Sequence, residues 1–113
     1  MIVKNLTKDI VLSAQAELAD TFFSRMRGLL GRRMFTDGKA LVITRCNSIH
    51  MFFMKFPIDA IFLDASNRVV GAVKNIQPFQ MSPVFWTSTR VVEFPAGTLD
   101  RTATSLGDII EIK

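Results

Sequence analysis

The sequence is poor in the residues that hold many small folds together. Only one of its 113 residues is a cysteine, Cys46, which excludes an internal disulfide framework and a metal cage built from cysteines alone. Six glycines and four prolines are too few for a linker or a low-complexity chain. Tyrosine is absent, so ten phenylalanines and one tryptophan supply the aromatic rings. Almost all of the large rings therefore carry no polar group.

Long apolar runs are also missing. Four charged residues interrupt the first 17 positions, so no signal peptide is predicted; they are Lys4, Lys8, Asp9 and Glu17. The longest uncharged run, 75–89, contains two prolines and several amides and hydroxyls. It predicts a loop rather than the roughly 20 apolar residues of a membrane span. We therefore expect a cytoplasmic protein, in which a free thiol stays reduced, with no membrane partner.

What remains has the composition of a globular protein. Apolar residues make up 49% and charged residues 21%, and a mass of 12.7 kDa leaves room for one core, so residues 1–113 are expected to form a single domain. The net charge is +4. Most basic residues lie singly, and only four cluster: Arg25, Arg27, Arg32 and Arg33. This spread predicts a solvated surface and no specific nucleic-acid partner.

Alternating and β-branched segments predict most of the chain as strands. Residues 10–18 alternate with period two, which predicts one strand with one buried face, and Ile2-Val3 is expected to pair with it. Residues 58–63 and 68–76 flank a polar turn and predict a hairpin. Further strands are predicted over 40–44, 87–94 and 109–112. The expected fold is mainly β (α+β), a compact, partly open barrel or sandwich of about six strands with one short helix packed across it.

That helix is predicted to begin near Asp20. Asp20 or Thr21 can accept hydrogen bonds from the free N–H groups at a helix start, and Gly31 is typical of a left-handed C-cap. Apolar residues recur between them at helical spacing, namely Phe22, Met26, Leu29 and Leu30. A second helical or turn segment is predicted over 97–105.

The segment from Thr44 to Asp59 concentrates the groups that could carry chemistry. It holds the only cysteine, Cys46, and the only histidine, His50. A thiol, an imidazole and the Asp59 carboxylate could act as nucleophile, base and orienting group. In an extended segment the Cα atoms of Cys46 and His50 would lie about 13 Å apart, too far for direct proton transfer, whereas a helical or tight turn would bring them to about 6 Å. The catalytic interpretation of Cys46, His50 and Asp59 therefore depends on a bend.

Two other interpretations of these residues remain open. Cys46, His50 and either Asp59 or Glu93 could bind a metal, although no paired-ligand spacing indicates one. Alternatively, the cysteine and histidine are structural residues of the core and its rim. Glu93 interrupts an apolar strand and either faces solvent or is buried beside an arginine; the candidate partners are Arg27, Arg45 and Arg90.

A cluster of large apolar residues follows His50: Met51, Phe52, Phe53, Met54 and Phe56. Such side chains fill irregular gaps in small cores and also line apolar ligand pockets. They cannot all face inward along one strand, so some are expected to reach a pocket, a groove or a partner surface. The predicted ligand-binding residues are His50, Met51, Phe53, Met54, Asp59, Trp86 and Glu93.

Several short motifs occur together in one order along the chain: RGLLGR at 27–32, CNSIH at 46–50, FPID at 56–59, EFPAG at 93–97 and GD at 107–108. With them the chain resembles the small bacterial and archaeal family called domain of unknown function 192. The resemblance covers about residues 18–113. It implies a compact β-rich domain with a short helix packed across it. It implies no established activity, so no catalytic residue is carried over.

The sequence therefore predicts a non-enzymatic binding module with an apolar groove lined by Met and Phe, for an unknown small molecule or a protein. One alternative is a small hydrolase or transferase that uses Cys46 with His50, and another is a metal-binding domain. No cofactor is predicted. The chain is expected to be a monomer or a weak homodimer.

Overall fold

The computed structural model describes residues 1–19, 38–51 and 56–113. These residues form eight strands and one short helix: β1 (Val3–Asn5), β2 (Ile10–Ser13), β3 (Gln15–Ala19), β4 (Lys39–Thr44), β5 (Ile58–Leu63), β6 (Val69–Ile76), β7 (Arg90–Pro95), α1 (Thr98–Thr102) and β8 (Ile110–Ile112). In this described part of the chain, no helix is long and apolar enough to span a membrane. The helix predicted from Asp20 to Gly31 lies outside the described residues, as do the four clustered arginines.

The strands form two sheets. The larger sheet has the order β3-β4-β7-β5-β6 and is antiparallel except for the pair β3–β4, in which Gln15 lies opposite Lys39. The smaller sheet has the order β2-β1-β8 and is antiparallel. This mainly β, two-sheet architecture with one short helix confirms the predicted fold class. The described residues form eight strands rather than about six, in part because a segment predicted as one strand forms two.

That segment is residues 10–18. β2 ends at Ser13, and β3 begins at Gln15 in the other sheet. The Ser13 hydroxyl donates to the Gly38 carbonyl at 2.7 Å and accepts from the Gln15 N–H at 3.2 Å. Such local bonds compete with a continuous ladder, so the chain leaves the small sheet here and enters the large one. The predicted pairing of the N-terminal segment is confirmed, since β1 pairs with β2.

Apolar side chains cover both faces of the larger sheet. The first cluster lies on one face and comprises Leu41, Ile43, Ile49, Met51, Phe56, Ile58, Ala60, Phe62, Ile76 and Val91. The second cluster lies between the two sheets and comprises Val3, Leu12, Ala16, Ala40, Val42, Ile61, Leu63, Val69, Val92, Phe94, Leu99 and Ile110. β5 is buried at all six positions, as expected for an inner strand covered on both faces.

The predicted hairpin is confirmed as β5 and β6. Asp64 organises its turn, because Oδ1 accepts from the N–H groups of Ser66 at 2.9 Å and Arg68 at 3.0 Å. Asn67 follows with a φ of 62°, which asparagine tolerates well. The segment 97–105 contains α1, and the predicted final strand is β8.

A buried polar network joins β1 to the loop before β8. Asp108 is 4% exposed and accepts from the Asn5 side-chain amide and from the Lys8 ammonium, both at 2.9 Å. The Ser105 N–H donates to the same carboxylate at 3.0 Å. Burial alone would raise the pKa of Asp108, but these hydrogen bonds and the Lys8 charge outweigh it and hold the pKa below its ordinary value. The charged Asp108 carboxylate therefore links β1 to the loop that precedes β8.

Candidate functional site

The candidate residues near Cys46 lie on a segment without a helical turn. Residues 47–51 run antiparallel to residues 79–85. Four backbone hydrogen bonds set this pairing: Phe85 N to Asn47 O at 2.9 Å, Ser82 N to Ile49 O at 2.8 Å, Met51 N to Gln80 O at 2.8 Å and Phe79 N to Met51 O at 2.7 Å. The chain is therefore paired in strand-like fashion towards His50, after bends at Arg45 and Asn47.

The Cys46 thiol is half-buried and packs against the first cluster. It donates to the Ser48 carbonyl at 3.0 Å. The backbone of Cys46 is also held, because its N–H donates to the Thr89 carbonyl at 3.3 Å and its carbonyl accepts from the Ser88 hydroxyl at 3.0 Å. The segment bends at Asn47 but forms no helical turn between Cys46 and His50.

His50 lies opposite Met81 in an isolated β-bridge. Its side chain is partly buried, and Nδ1 is fully buried. Met81, in contrast, is 63% exposed. His50 therefore borders the exposed side of the 79–86 loop.

Asp59 is buried and accepts three backbone hydrogen bonds. Oδ2 accepts from Gly97 N at 3.1 Å and from Leu99 N at 2.9 Å, and Oδ1 accepts from Asn75 N at 2.8 Å. The first two N–H groups belong to the start of α1, where free amides need acceptors. In this structure the carboxylate ties α1 to β5 and β6.

Glu93 is also fully buried, but on the other face of the larger sheet. In β7 it lies opposite Leu41 and Ala60, which belong to the first cluster, whereas Asp59 lies opposite Phe94 of the second cluster. Since side chains alternate across a sheet, the Asp59 and Glu93 carboxylates point to opposite sides. The structure therefore does not bring all four predicted groups to one cavity.

Two of the three arginines predicted as partners of Glu93 lie within the described residues. Arg90 donates to the side-chain oxygen of Asn67, and Arg45 is exposed. Arg27 lies outside the described residues.

Of the methionine and phenylalanine residues predicted to bind a ligand, only Met51 lies within the described residues. Met51 is fully buried in the first cluster, while Phe53 and Met54 lie outside the described residues. Within residues 1–19, 38–51 and 56–113, no group of three or more His, Cys, Asp or Glu side chains is placed to hold a metal ion.

A run of exposed apolar side chains lies beside His50, and of these only Trp86 is among the ligand-binding residues predicted from the sequence. Trp86 is 83% exposed, Phe79 75%, Met81 63% and Val84 42%. We call these four side chains the 79–86 surface. Trp86 occupies a tight turn, closed by a 2.8 Å bond from Ser88 N to the Phe85 carbonyl. The sequence signal for this surface is the uncharged run 75–89, which by itself predicts only a loop.

Phe85 is the residue of the 79–86 loop that packs against the first cluster and so anchors the loop. Its ring packs on Phe62 with a centroid distance of 4.4 Å and an interplanar angle of 40°. A Cβ at Gly71 would come within 2.5 Å of the Phe85 ring, so the glycine makes room for this anchor. With the backbone bonds to 47–51, the anchor holds the exposed residues on an ordered support.

Fold and site together define a small, mainly β, two-sheet protein with an exposed apolar loop. The chain belongs to the family DUF192, described as "Uncharacterized ACR, COG1430", which it matches over residues 3–112. It is 37% identical over 111 residues to a UPF0127 protein of Thermococcus sibiricus, covering 95% of this chain and 71% of the relative. It is 32% identical over 116 residues to the UPF0127 protein PYRAB11210 of Pyrococcus abyssi, covering 97% of this chain and 96% of the relative.

Two solved structures share the fold. A protein of unknown function from Novosphingobium aromaticivorans matches with a TM-score of 0.83 and 24% identity, over 98% of this chain and 82% of that protein. A protein from Sinorhizobium meliloti 1021, whose name proposes a role in transcription regulation, matches with a TM-score of 0.78 and 23% identity, over 97% of this chain and 89% of that protein. At these identities the likeness shows the fold alone.

Proposed function

We propose that this chain is a non-enzymatic binding module that docks a segment of a partner protein on the 79–86 surface. The observation that carries the proposal is the exposure of four large apolar side chains on eight consecutive residues. Single exposed apolar residues are ordinary, but exposed apolar patches are typical of interaction sites. In this proposal residues 1–113 act as a single cytoplasmic domain, as a monomer or a weak homodimer.

The backbone turns at Phe79. Its φ is 68°, the value that a type II turn requires at its third residue, and Gln80 N closes this turn by donating to the Gln77 carbonyl at 3.1 Å. Glycine is the usual residue at this position, whereas this chain has a phenylalanine whose side chain is 75% exposed. A large apolar side chain where a turn favours glycine supports an outward-facing role for Phe79.

The support beneath the loop favours tight docking. Because Phe85 and the backbone bonds to 47–51 already order this segment, a partner would not have to order it on binding. Tryptophans such as Trp86 are among the residues that contribute most binding energy in protein interfaces, and phenylalanines such as Phe79 are enriched there. His50 borders the surface and would add a polar contact at its edge.

The enzymatic alternative has less support. A covalent mechanism needs an activated Cys46 thiolate near His50, whereas the thiol donates to a backbone carbonyl and no helical turn joins the two residues. The rate of Cys46 alkylation against pH distinguishes the two functions. A thiol pKa near 8.5 is expected for a binding module, and a strongly lowered one would favour the enzyme.

Selection of a random dodecamer peptide library on the purified protein tests the proposal. We expect binding peptides whose affinity falls at least tenfold in Trp86→Ala and in Phe79→Ala, because each change removes a large apolar contact. Leu106→Ala is the matched control, since Leu106 is 66% exposed on a different loop, and it should leave the affinity unchanged. A library that yields no binder, or binders indifferent to both variants, would overturn the proposal.

A further inference from the structure

The charges around the 79–86 surface are one-sided. Residues 38–58 and 65–92 contain no Asp or Glu, and all ten acidic residues of the chain lie elsewhere. The same two segments hold six of the basic residues: Lys39, Arg45, Lys55, Arg68, Lys74 and Arg90. These two segments together therefore carry a charge of +6, which exceeds the net charge of +4 of the whole chain.

These two segments are neighbours in the fold. β4 of the first pairs with β7, where Thr44 lies opposite Arg90. Residues 47–51 of the first segment pair with residues 79–85 of the second. The 79–86 surface therefore lies in the part of the fold built by the two acid-free segments.

Three described acidic residues directly border these segments. The buried Asp59 accepts three backbone N–H groups on the other face of the larger sheet, and the Asp64 Oδ1 accepts two N–H groups of its own turn. Glu93 lies on the first-cluster face, against which Phe85 also packs, but it is fully buried and therefore does not face a partner. The fourth bordering residue, Asp37, lies outside the described residues.

Arg45 is the cation best placed to act beside the surface. It is exposed and makes no hydrogen bond or ion pair with another described residue, whereas Lys74 bonds Asp100 and Arg90 bonds Asn67. Its neighbour Cys46 donates its N–H to Thr89, and Asn47 accepts from Phe85. The turn that carries Trp86 lies between these two attachment points. Arg45 therefore lies next to the base of that turn.

We propose that the partner segment is acidic, with aspartate or glutamate beside an apolar anchor. The anchor packs on the 79–86 surface, and a carboxylate binds the Arg45 guanidinium, whose planar donors match carboxylate geometry. The absence of acidic side chains from both segments removes the repulsion that such a partner would otherwise meet. This inference rests on the proposed function.

The peptides selected from the dodecamer library serve as the probe. We expect the binders to be enriched in Asp and Glu beside an aromatic or aliphatic residue. Their affinity should fall about tenfold in Arg45→Glu, where attraction becomes repulsion, and should fall as salt rises from about 50 to about 300 mM. Arg101→Glu is the control, because Arg101 is an exposed cation in α1, outside both segments. It should change the affinity less than twofold.

The outcomes separate the two proposals. Peptides that need Trp86 but are neutral or basic, or that bind equally well in Arg45→Glu, would overturn the acidic partner and leave the binding module standing. Peptides indifferent to Trp86→Ala and Phe79→Ala would overturn both. A single-stranded oligonucleotide that binds the same surface more tightly than any acidic peptide would also overturn the inference, since the basic part would then serve a nucleic acid.

Discussion

Two loops of this molecule use their side chains in opposite ways. The loop 103–108 turns polar groups inward, where Thr104 and Asp108 are buried and hydrogen-bonded to Asn5. The loop 79–86 turns apolar groups outward, with Phe79 and Trp86 mostly in solvent. Both loops are ordered by hydrogen bonds to distant segments.

This difference indicates that the loop 103–108 stabilises the fold, whereas the loop 79–86 serves binding. A buried carboxylate with three donors is strongly destabilising to remove, because its former partners lose their acceptor. An exposed tryptophan contributes little to folding, and its apolar area becomes useful only when a partner covers it. We therefore expect substitutions in the loop 103–108 to change the free energy of unfolding and substitutions in the 79–86 surface to change affinity.

The largest effect is expected for Asp108→Ala. The change leaves the buried Asn5 amide without an acceptor, while the exposed Lys8 can be hydrated, and it should lower the free energy of unfolding by about 2–3 kcal/mol. Urea denaturation measures it. Asp9→Ala is the matched control, because Asp9 also pairs with a lysine, Lys4, at 3.1 Å but is exposed, and its loss should cost less than about 1 kcal/mol. Equal losses in both variants would contradict the importance of burial.

Gly71→Ala should weaken the support of the 79–86 loop without changing its exposed residues. The new Cβ would meet the Phe85 ring at 2.5 Å, so we expect a loss of about 1–3 kcal/mol in the free energy of unfolding. The fluorescence of Trp86 should change with it, because Phe85 must move. In the Phe85→Leu background the same change should cost less, since the smaller side chain leaves room. Strict additivity of the two changes would argue against this contact.

Acid should reduce the difference in the free energy of unfolding between the wild type and Asp108→Asn. Because folding lowers the pKa of Asp108, its charge contributes stability fully above the unfolded-state pKa, near 4. That contribution is lost as the pH falls from there through the folded-state pKa. Unfolding free energies of the two proteins, compared from neutral to acidic pH, should converge. A constant difference across this range would show that the charge of Asp108 is not what stabilises the network.

The smallest effect on stability is expected for Phe79→Gly. Glycine adopts the φ of 68° without strain, and an exposed side chain is lost, so the free energy of unfolding should stay the same or rise by up to about 1 kcal/mol. The affinity for the selected peptides should nevertheless fall. Thermal and urea unfolding check the first expectation. A clear loss of stability would mean that Phe79 serves the fold.

The fold could be predicted from sequence where the signals are local. The hairpin of β5 and β6 follows from two β-branched runs around the turn at Asp64, and β8 follows from its apolar run after Gly107-Asp108. The division of residues 10–18 could not be predicted, because their alternation is compatible with one strand. The bond from Ser13 to the distant Gly38 carbonyl accompanies the break.

The candidate site was predictable to a smaller extent. The sequence identifies the chemical groups, but the facing of Asp59 and Glu93 depends on which residues they oppose in β7 and β5. That Asp59 accepts from Gly97 and Leu99 requires a contact between residues some 40 positions apart. The 79–86 surface was missed apart from Trp86, because large apolar residues in a short chain are normally expected inside.

Mapping amide chemical shifts during titration with a selected peptide shows where the partner segment binds. We expect the largest shifts at residues 79–86 and at Arg45, while the loop 103–108 and the smaller sheet are unaffected. The largest shifts at the loop 103–108 or in the sheet β2-β1-β8, with residues 79–86 unchanged, would contradict it.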